Sequence, residues 1–257
     1  MVDLGVTPLA NAFLTTEMLT KPEQTFPLCL YVCETCWLVQ LPRFVAPEEI
    51  FSEYAYFSSY SDTLLEQCAR YAQQMVELYG LHQQSQVVEI ACNDGYLLRQ
   101  FQARNIPVFG VEPAKNVALV ARQHGLHVVS EFFGAELAQR LRCEGPGADL
   151  LIANNVLAHV PSINAFLSSV LACLKPGGVA VFEFPHLMEL IEKTEFDTIY
   201  HEHVFYYSLA AVKILAERAG FILFDASRQR VHGGSLRIYL QPAAAKPAAA
   251  CNVEALL

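Results

Sequence analysis

Tyr200, His201, Glu202 and His203 put a phenol, two imidazoles and a carboxylate into four consecutive positions. An imidazole titrating near neutral pH, beside groups that fix its tautomer, is what general acid/base chemistry needs. The same residues suit a His-x-Glu or His-x-His metal site, or aromatic packing under a loop. Glu183-Phe-Pro-His186 stands shortly before them. Asn154-Asn155-Val-Leu-Ala-His159 adds two amides that can hold the amino-acid part of a ligand, with His159 reading equally as a helix-capping or core histidine. Upstream, Glu89-Ile-Ala91-Cys-Asn93-Asp94-Gly95 closes an apolar run, and Glu112 follows Gly95 by 17 residues. A loop with one glycine cradles a pyrophosphate poorly, which counts against NAD. A carboxylate closing the next strand can accept both ribose hydroxyls; the alternative for Glu112 is a solvated turn. His232-Gly-Gly-Ser235 is a further polar turn, whose glycines also suit a purely backbone role.

These groups need elements to position them. Apolar runs at Val87 to Ala91, Val108 to Val111, Leu126 to Val129, Asp149 to Ala153, Val179 to Phe184, Phe221 to Phe224 and Leu236 to Leu240 read as strands. Helical segments at Tyr96 to Arg104, Asn116 to His124, Ala135 to Arg142 and Ile163 to Leu174 alternate with the first five, and Ala210 to Ala219 precedes the sixth. That alternation predicts βαβ units and a parallel sheet covered on both faces, so each chemical group above falls at a carboxyl strand end. The last two strands are joined too tightly for a crossover and should pair antiparallel. Seven strands ending in such a hairpin favour, by analogy, the class I S-adenosylmethionine-dependent methyltransferase (Rossmann-like) α/β fold.

Ahead of this domain (residues 81–241), residues 1–60 read as a small irregular, Cys-containing domain punctuated by prolines. Residues 61–80 read as a linking helix, with Leu64, Leu65, Cys68, Tyr71, Ala72, Met75, Val76 and Tyr79 on one stripe. Residues 242–257 read as a tail or the start of a missing domain. Hydrophobic content of 53% against 17% charged residues excludes disorder, and a net charge of −9 without basic blocks argues against nucleic acid as a partner. No signal-peptide pattern and no membrane-length apolar run is present, so the expectation is a cytoplasmic protein without a membrane partner. Among eight cysteines only Cys29, Cys33 and Cys36 cluster.

Seven strings, in order and covering almost the whole chain, carry a resemblance: Pro8-Leu-Ala-Asn11-Ala-Phe, Tyr54-Ala-Tyr56-Phe-Ser58-Ser-Tyr-Ser, Glu89-Ile-Ala-Cys-Asn-Asp-Gly95, Gly110-Val-Glu-Pro-Ala114, Asn154-Asn-Val-Leu-Ala-His159-Val, Tyr200-His-Glu-His203 and His232-Gly-Gly-Ser-Leu-Arg237. The chain resembles the deoxysugar C-methyltransferases, which methylate carbon 3 of a nucleotide-linked 4-keto-6-deoxysugar. The resemblance implies S-adenosylmethionine as cofactor and a nucleotide-linked sugar as partner. The resemblance puts the cofactor at Asp94, Gly95 and Glu112, and Glu89, Ala91, Asn93, Asn154 and Asn155, at carboxyl strand ends, are the further candidates to hold it. His203 would be the base, with Tyr200 and Glu202 beside it and Glu202 orienting the imidazole. Tyr54 and Tyr56 match the family's tyrosine-rich string facing the substrate, and His159, His186 and His201 are further candidates to face it. Family members open with a further Cys-x-x-Cys pair and continue into a C-terminal domain. The expectation is therefore a member shortened at both ends, whose Cys33 and Cys36 form an incomplete zinc site. Two rivals are a small-molecule O- or N-methyltransferase and a non-catalytic S-adenosylmethionine-binding remnant.

Overall fold

A computed structural model of the 257-residue chain describes residues 2–46, 58–60, 62–231, 233–245 and 253–257. Tyr54, Tyr56 and His232, singled out above, lie outside the described residues. The N-terminal segment builds two small sheets. Strands β1 (Asp3–Thr7) and β2 (Phe26–Cys29) pair antiparallel, and β3 (Tyr31–Val32) pairs with β4 (Val39–Gln40). Helix α1 (Asp62–Tyr79) follows and buries Cys68, Tyr71, Ala72 and Met75, the stripe its period requires.

The α/β domain then runs β5 (Val87–Ile90), α2 (Leu98–Gln102), β6 (Val108–Val111), α3 (Lys115–Gln123), β7 (Val128–Val129), α4 (Ala135–Glu144), β8 (Ala148–Asn154), α5 (Ile163–Cys173), β9 (Leu174–Pro185), α6 (Leu187–Lys193), β10 (Phe205–Tyr206), α7 (Leu209–Arg218), β11 (Phe221–Gln229), β12 (Ser235–Pro242) and α8 (Val253–Leu256). Seven of these strands form one sheet in the order β11-β12-β9-β8-β5-β6-β7, and β12 runs antiparallel to both neighbours while the other pairs are parallel. All four residues of β5 are buried, as a central strand covered on both faces demands. The pleat sends alternate residues to separate cores: Val87, Leu150 and Ile152 pack on one face, and Val88, Leu151 and Ala153 on the other. Between β5 and β8 the direction of winding reverses, and the loops leaving their carboxyl ends diverge into a crevice.

Several boundaries differ from the sequence reading. The third strand is only Val128–Val129, because Leu126 turns inward beneath the first loop. A Cβ added to Gly95, which sits at φ +80°, would lie 2.0 Å from Leu126 Cδ1, so glycine alone leaves room for that packing. Strand β9 starts at Leu174, ahead of Val179, since Leu174 already pairs with Ala148 despite the Lys-Pro-Gly-Gly between. Helix α6 has no buried residue and so no stripe that periodicity would reveal. In the tail, Val253 of α8 is buried in the main core and Lys213 meets Glu254 at 3.2 Å. No helix among the described residues is long and apolar enough to cross a membrane.

The N-terminal segment is less irregular, and less self-contained, than the sequence suggests. Strand β10, whose Phe205 lies opposite Gln40 from 165 residues downstream, pairs with β4 and completes a three-stranded sheet. Ile199 and Tyr206 fill a core with Leu28, Leu30, Val39 and Leu41. The segment from Ile199 to Tyr206, which carries the Tyr200-to-His203 cluster, is thus a strap built onto the N-terminal module.

Candidate active site

A cavity of about 640 Å³ opens at the crevice. Its floor is made by Ala91, Asn93, Glu112, Asn154 and Asn155 from the ends of β5, β6 and β8, and its sides by Phe132, Phe133 and Phe166. Ala91, Asn93 and Asn155 all hold positive φ, at 53°, 51° and 55°. Such turns cost non-glycine residues energy and persist where surrounding bonds fix them. Those bonds are present. Glu112 accepts from the backbone N–H of Asn93 through Oε2 and of Ala114 through Oε1, both at 2.9 Å, tying the first two loops together. Each carboxylate oxygen retains a second lone pair. Burial raises the Glu112 carboxyl above its usual range, and the two N–H groups pull it back. Asn93 Oδ1 accepts from Ser58 N and Asp94 N, both at 2.9 Å.

Glu89 and Asp94 lie one layer deeper than the cavity wall. Glu89 is 1% exposed; burial first, then the Glu112 and Asp94 charges, push its carboxyl well above the carboxylate range. Asp94 accepts from Ser59 N at 3.1 Å through Oδ2. Glu89 Oε2, Asp94 Oδ1, Asn154 Oδ1 and Asn155 Oδ1 are buried without a hydrogen-bond partner among the described residues. The two amide oxygens of Asn154 and Asn155 can only accept, so what satisfies them must bring donors or positive charge.

Across the cavity stands the strap. His203 N donates to the Tyr200 carbonyl at 3.0 Å, a single tight turn, so Tyr200 and His203 share one face and both line the cavity. Tyr200 Oη and His203 Nε2 are hydrogen-bonded at 2.8 Å, with ring centroids 4.3 Å apart. His159 also lines the cavity, its ring 4.8 Å from that of His203. Its Nδ1 lies 2.9 Å from the Glu202 carbonyl, and burial pushes the imidazole down to about 4 against that bond. A 15N-resolved titration is expected to give His159 a midpoint near pH 4. The neutral imidazole then supports the fold fully above its unfolded value of about 6.5, and this support is lost as pH falls toward 4. A midpoint near 6.5 would contradict the buried placement.

The other expected site residues are not brought to the cavity. His201 Nε2 contacts the Pro27 carbonyl at 3.1 Å, and its ring meets Phe26 edge-on. The turn that points His203 inward points His201 to the N-terminal module, which corrects its reading as substrate-facing. His186 is also off the wall, buried at the start of α6, with burial and then Arg228 lowering its pKa. Glu202 does not orient His203: its carboxylate accepts from Asn11 Nδ2 at 2.7 Å. Asn11 was visible only within a family string, because nothing local signals a contact 191 residues away. Also unread in the sequence were the phenylalanines of the cavity sides and the Glu183–Arg237 pair beneath it.

Cys33 and Cys36 sit on a tight turn in which Trp37 N donates to the Cys33 carbonyl at 2.8 Å. Backbone N–H groups of Thr35 and Cys36 lower the Cys33 thiol. Among the described residues no group of three or more His, Cys, Asp or Glu side chains converges as a metal site. The two thiols alone do not fit a four-ligand structural zinc.

Comparison with known proteins agrees with this layout. Residues 1–51 match a family described as "Putative zinc binding domain", and residues 60–224 match "Methyltransferase domain". The chain is 36% identical over 245 residues to C-methyltransferase NovU of Streptomyces niveus, covering 95% of this chain and 58% of that protein. It is 31% identical over 108 residues to the ubiquinone biosynthesis O-methyltransferase of Bordetella avium, covering 41% of this chain and 45% of that one. The chain therefore spans about half the length of these curated relatives. Among solved structures, the magnesium protoporphyrin IX methyltransferase of Synechocystis PCC 6803 with bound SAH superposes with a TM-score of 0.52 at 16% identity, over 68% of this chain and 82% of that one. A S-adenosylmethionine-dependent methyltransferase of Clostridium acetobutylicum gives 0.54 at 10% identity, over 72% and 93%. The fold is the class I methyltransferase fold, and with the domain model matched over well more than half its length the chain belongs to the methyltransferase-domain family.

Proposed function

We propose that the chain is an S-adenosylmethionine-dependent C-methyltransferase that methylates carbon 3 of a nucleotide-linked 4-keto-deoxysugar through an enolate. The observation that carries this reading is a hydrogen-bonded Tyr200–His203 pair facing the same cavity as Asn154 and Asn155, whose side-chain oxygens are unsatisfied acceptors among the described residues. The cofactor fits that donor demand: it brings an ammonium, a sulfonium and two ribose hydroxyls. Glu112 would hold the ribose, while Asn154 and Asn155 would receive the amino-acid end. When bound, S-adenosylmethionine supplies an electrophilic methyl group.

The residues of the chain do the remaining work. A C3–H beside a C4 ketone is acidic only as charge moves to oxygen, so base and oxyanion donor must act together. At rest Tyr200 Oη and His203 Nε2 are bonded to each other. As the acceptor enters, the phenol O–H would turn from Nε2 to the developing enolate oxygen, leaving the Nε2 lone pair to take the C3 proton. Phe132, Phe133 and Phe166 exclude water and hold the reactants close, where alignment supplies much of the rate. A second reading, transfer to oxygen, is favoured by the similarity to the O-methyltransferase relative. It would leave the donor role of Tyr200 without a purpose.

Cofactor binding is tested at Glu112. Glu112→Ala is expected to weaken S-adenosylmethionine binding by about 1.5–3 kcal/mol, the range for hydrogen bonds to a charged group. Calorimetry showing unchanged affinity would remove Glu112 from the site. Formation of S-adenosylhomocysteine only when a nucleotide-linked 4-keto-deoxysugar is supplied would support the acceptor class, and its absence with that acceptor would reject it.

A further inference from the structure

Asn11, the polar residue of the Pro8-Leu-Ala-Asn11 string, has no part in the chemistry above, yet it holds a residue at the centre of the strap. Its Nδ2 donates to Glu202 Oε1 at 2.7 Å, and Glu202 is only 5% exposed. Burial raises the Glu202 carboxyl, and the Asn11 amide opposes that rise. The backbone carbonyl of the same residue lies 2.9 Å from His159 Nδ1. A carbonyl oxygen can only accept, so the proton of the neutral imidazole sits on Nδ1 and Nε2 is the acceptor. His159 lines the cavity beside His203, so its tautomer decides whether a donor or an acceptor nitrogen borders the reacting groups.

We infer that Asn11 is a positioning residue: by holding Glu202 it fixes the carbonyl that locks His159 as the Nδ1–H tautomer beside His203. This makes the N-terminal module part of the site's chemistry. Val204 N also donates to the Ala158 carbonyl at 2.8 Å, which keeps the strap against the 157–159 turn when the side-chain clamp is removed. Loss of Asn11 should therefore let the Glu202 peptide, two residues before that anchor, turn its carbonyl away from the His159 ring without unfolding the strap. The effect on turnover rests on the function proposed above; the tautomer does not.

Ring-nitrogen chemical shifts of His159 in 15N-labelled protein, assigned by their disappearance in His159→Gln, read the tautomer directly. The unsubstituted chain is expected to show the neutral Nδ1–H pattern, and Asn11→Leu a mixture of both tautomers. The exchange Asn11→Asp with Glu202→Gln rebuilds the same amide–carboxylate bond in the opposite direction and is expected to restore the pattern. In turnover, Asn11→Leu is expected to lower kcat about 10- to 100-fold with the S-adenosylmethionine KM unchanged, as for a displaced reacting geometry. An Nδ1–H pattern unchanged in Asn11→Leu, or an exchanged pair as disturbed as Asn11→Leu, would overturn the inference. A tautomer that responds as expected in a chain without methyl transfer would sustain the inference and reject the proposed function.

Discussion

His203→Ala is expected to lower methyl transfer by about 10²–10⁴-fold, the usual contribution of a positioned base, and to leave S-adenosylmethionine affinity unchanged. The separation of the two effects follows from placement. His203 stands on the strap, whereas Glu112, Asn154 and Asn155 stand at the strand ends opposite. The same substitution should slow exchange of the acceptor's C3 proton with deuterated water, a step that precedes methyl transfer. His201→Ala is the informative comparison, because His201 is engaged with the Pro27 carbonyl and Phe26, away from the cavity. Exchange that persists in His203→Ala but vanishes in His201→Ala would assign the base to the other histidine.

A second large effect concerns stability. Glu183 Oε2 meets Arg237 Nε at 2.9 Å and a second guanidinium nitrogen at 2.7 Å, with the two side chains 8% and 14% exposed. The guanidinium also lies over the Tyr71 ring, 4.4 Å from its centroid, joining β9 and β12 to α1. Arg237→Ala would strand the Glu183 carboxylate in a buried region that already holds Glu89. Its expected cost is about 3–5 kcal/mol of unfolding free energy. Replacing both partners, Arg237→Met with Glu183→Gln, is expected to recover most of that loss, since the penalty comes from the unpaired charge rather than from the missing attraction. Urea unfolding of the three proteins checks this; a double variant as unstable as Arg237→Ala would contradict it.

What the sequence makes legible here follows the range over which each feature is encoded. The stripe of α1 and the alternation of β5 through β9 are written in neighbouring residues, and the folded elements match them closely. The pairing of Tyr200 with His203 was accessible for the same reason: residues three apart share a face whenever the backbone makes one turn. That argument also separates His203 from His201, though only the packing of His201 on Pro27 shows where the second ring goes. The partner of Glu202 is beyond local reading, because Asn11 lies in the loop between β1 and β2, 191 residues before it. A glutamate beside a histidine suggests an orienting pair, but the turn directs the two side chains to opposite modules. Strand β9 extends beyond its apolar run because Lys-Pro-Gly-Gly is locally turn chemistry, while the pairing of Leu174 with Ala148 is a tertiary choice.

The most direct measurement is to supply S-adenosylmethionine labelled with 13C in its methyl group together with a nucleotide-linked 4-keto-6-deoxysugar, and to locate the label by NMR. The expected product carries the labelled methyl bonded to carbon 3, with the carbon 4 carbonyl retained. Label found on oxygen, or no transfer by a chain shown to bind the cofactor, would contradict C-methylation through an enolate.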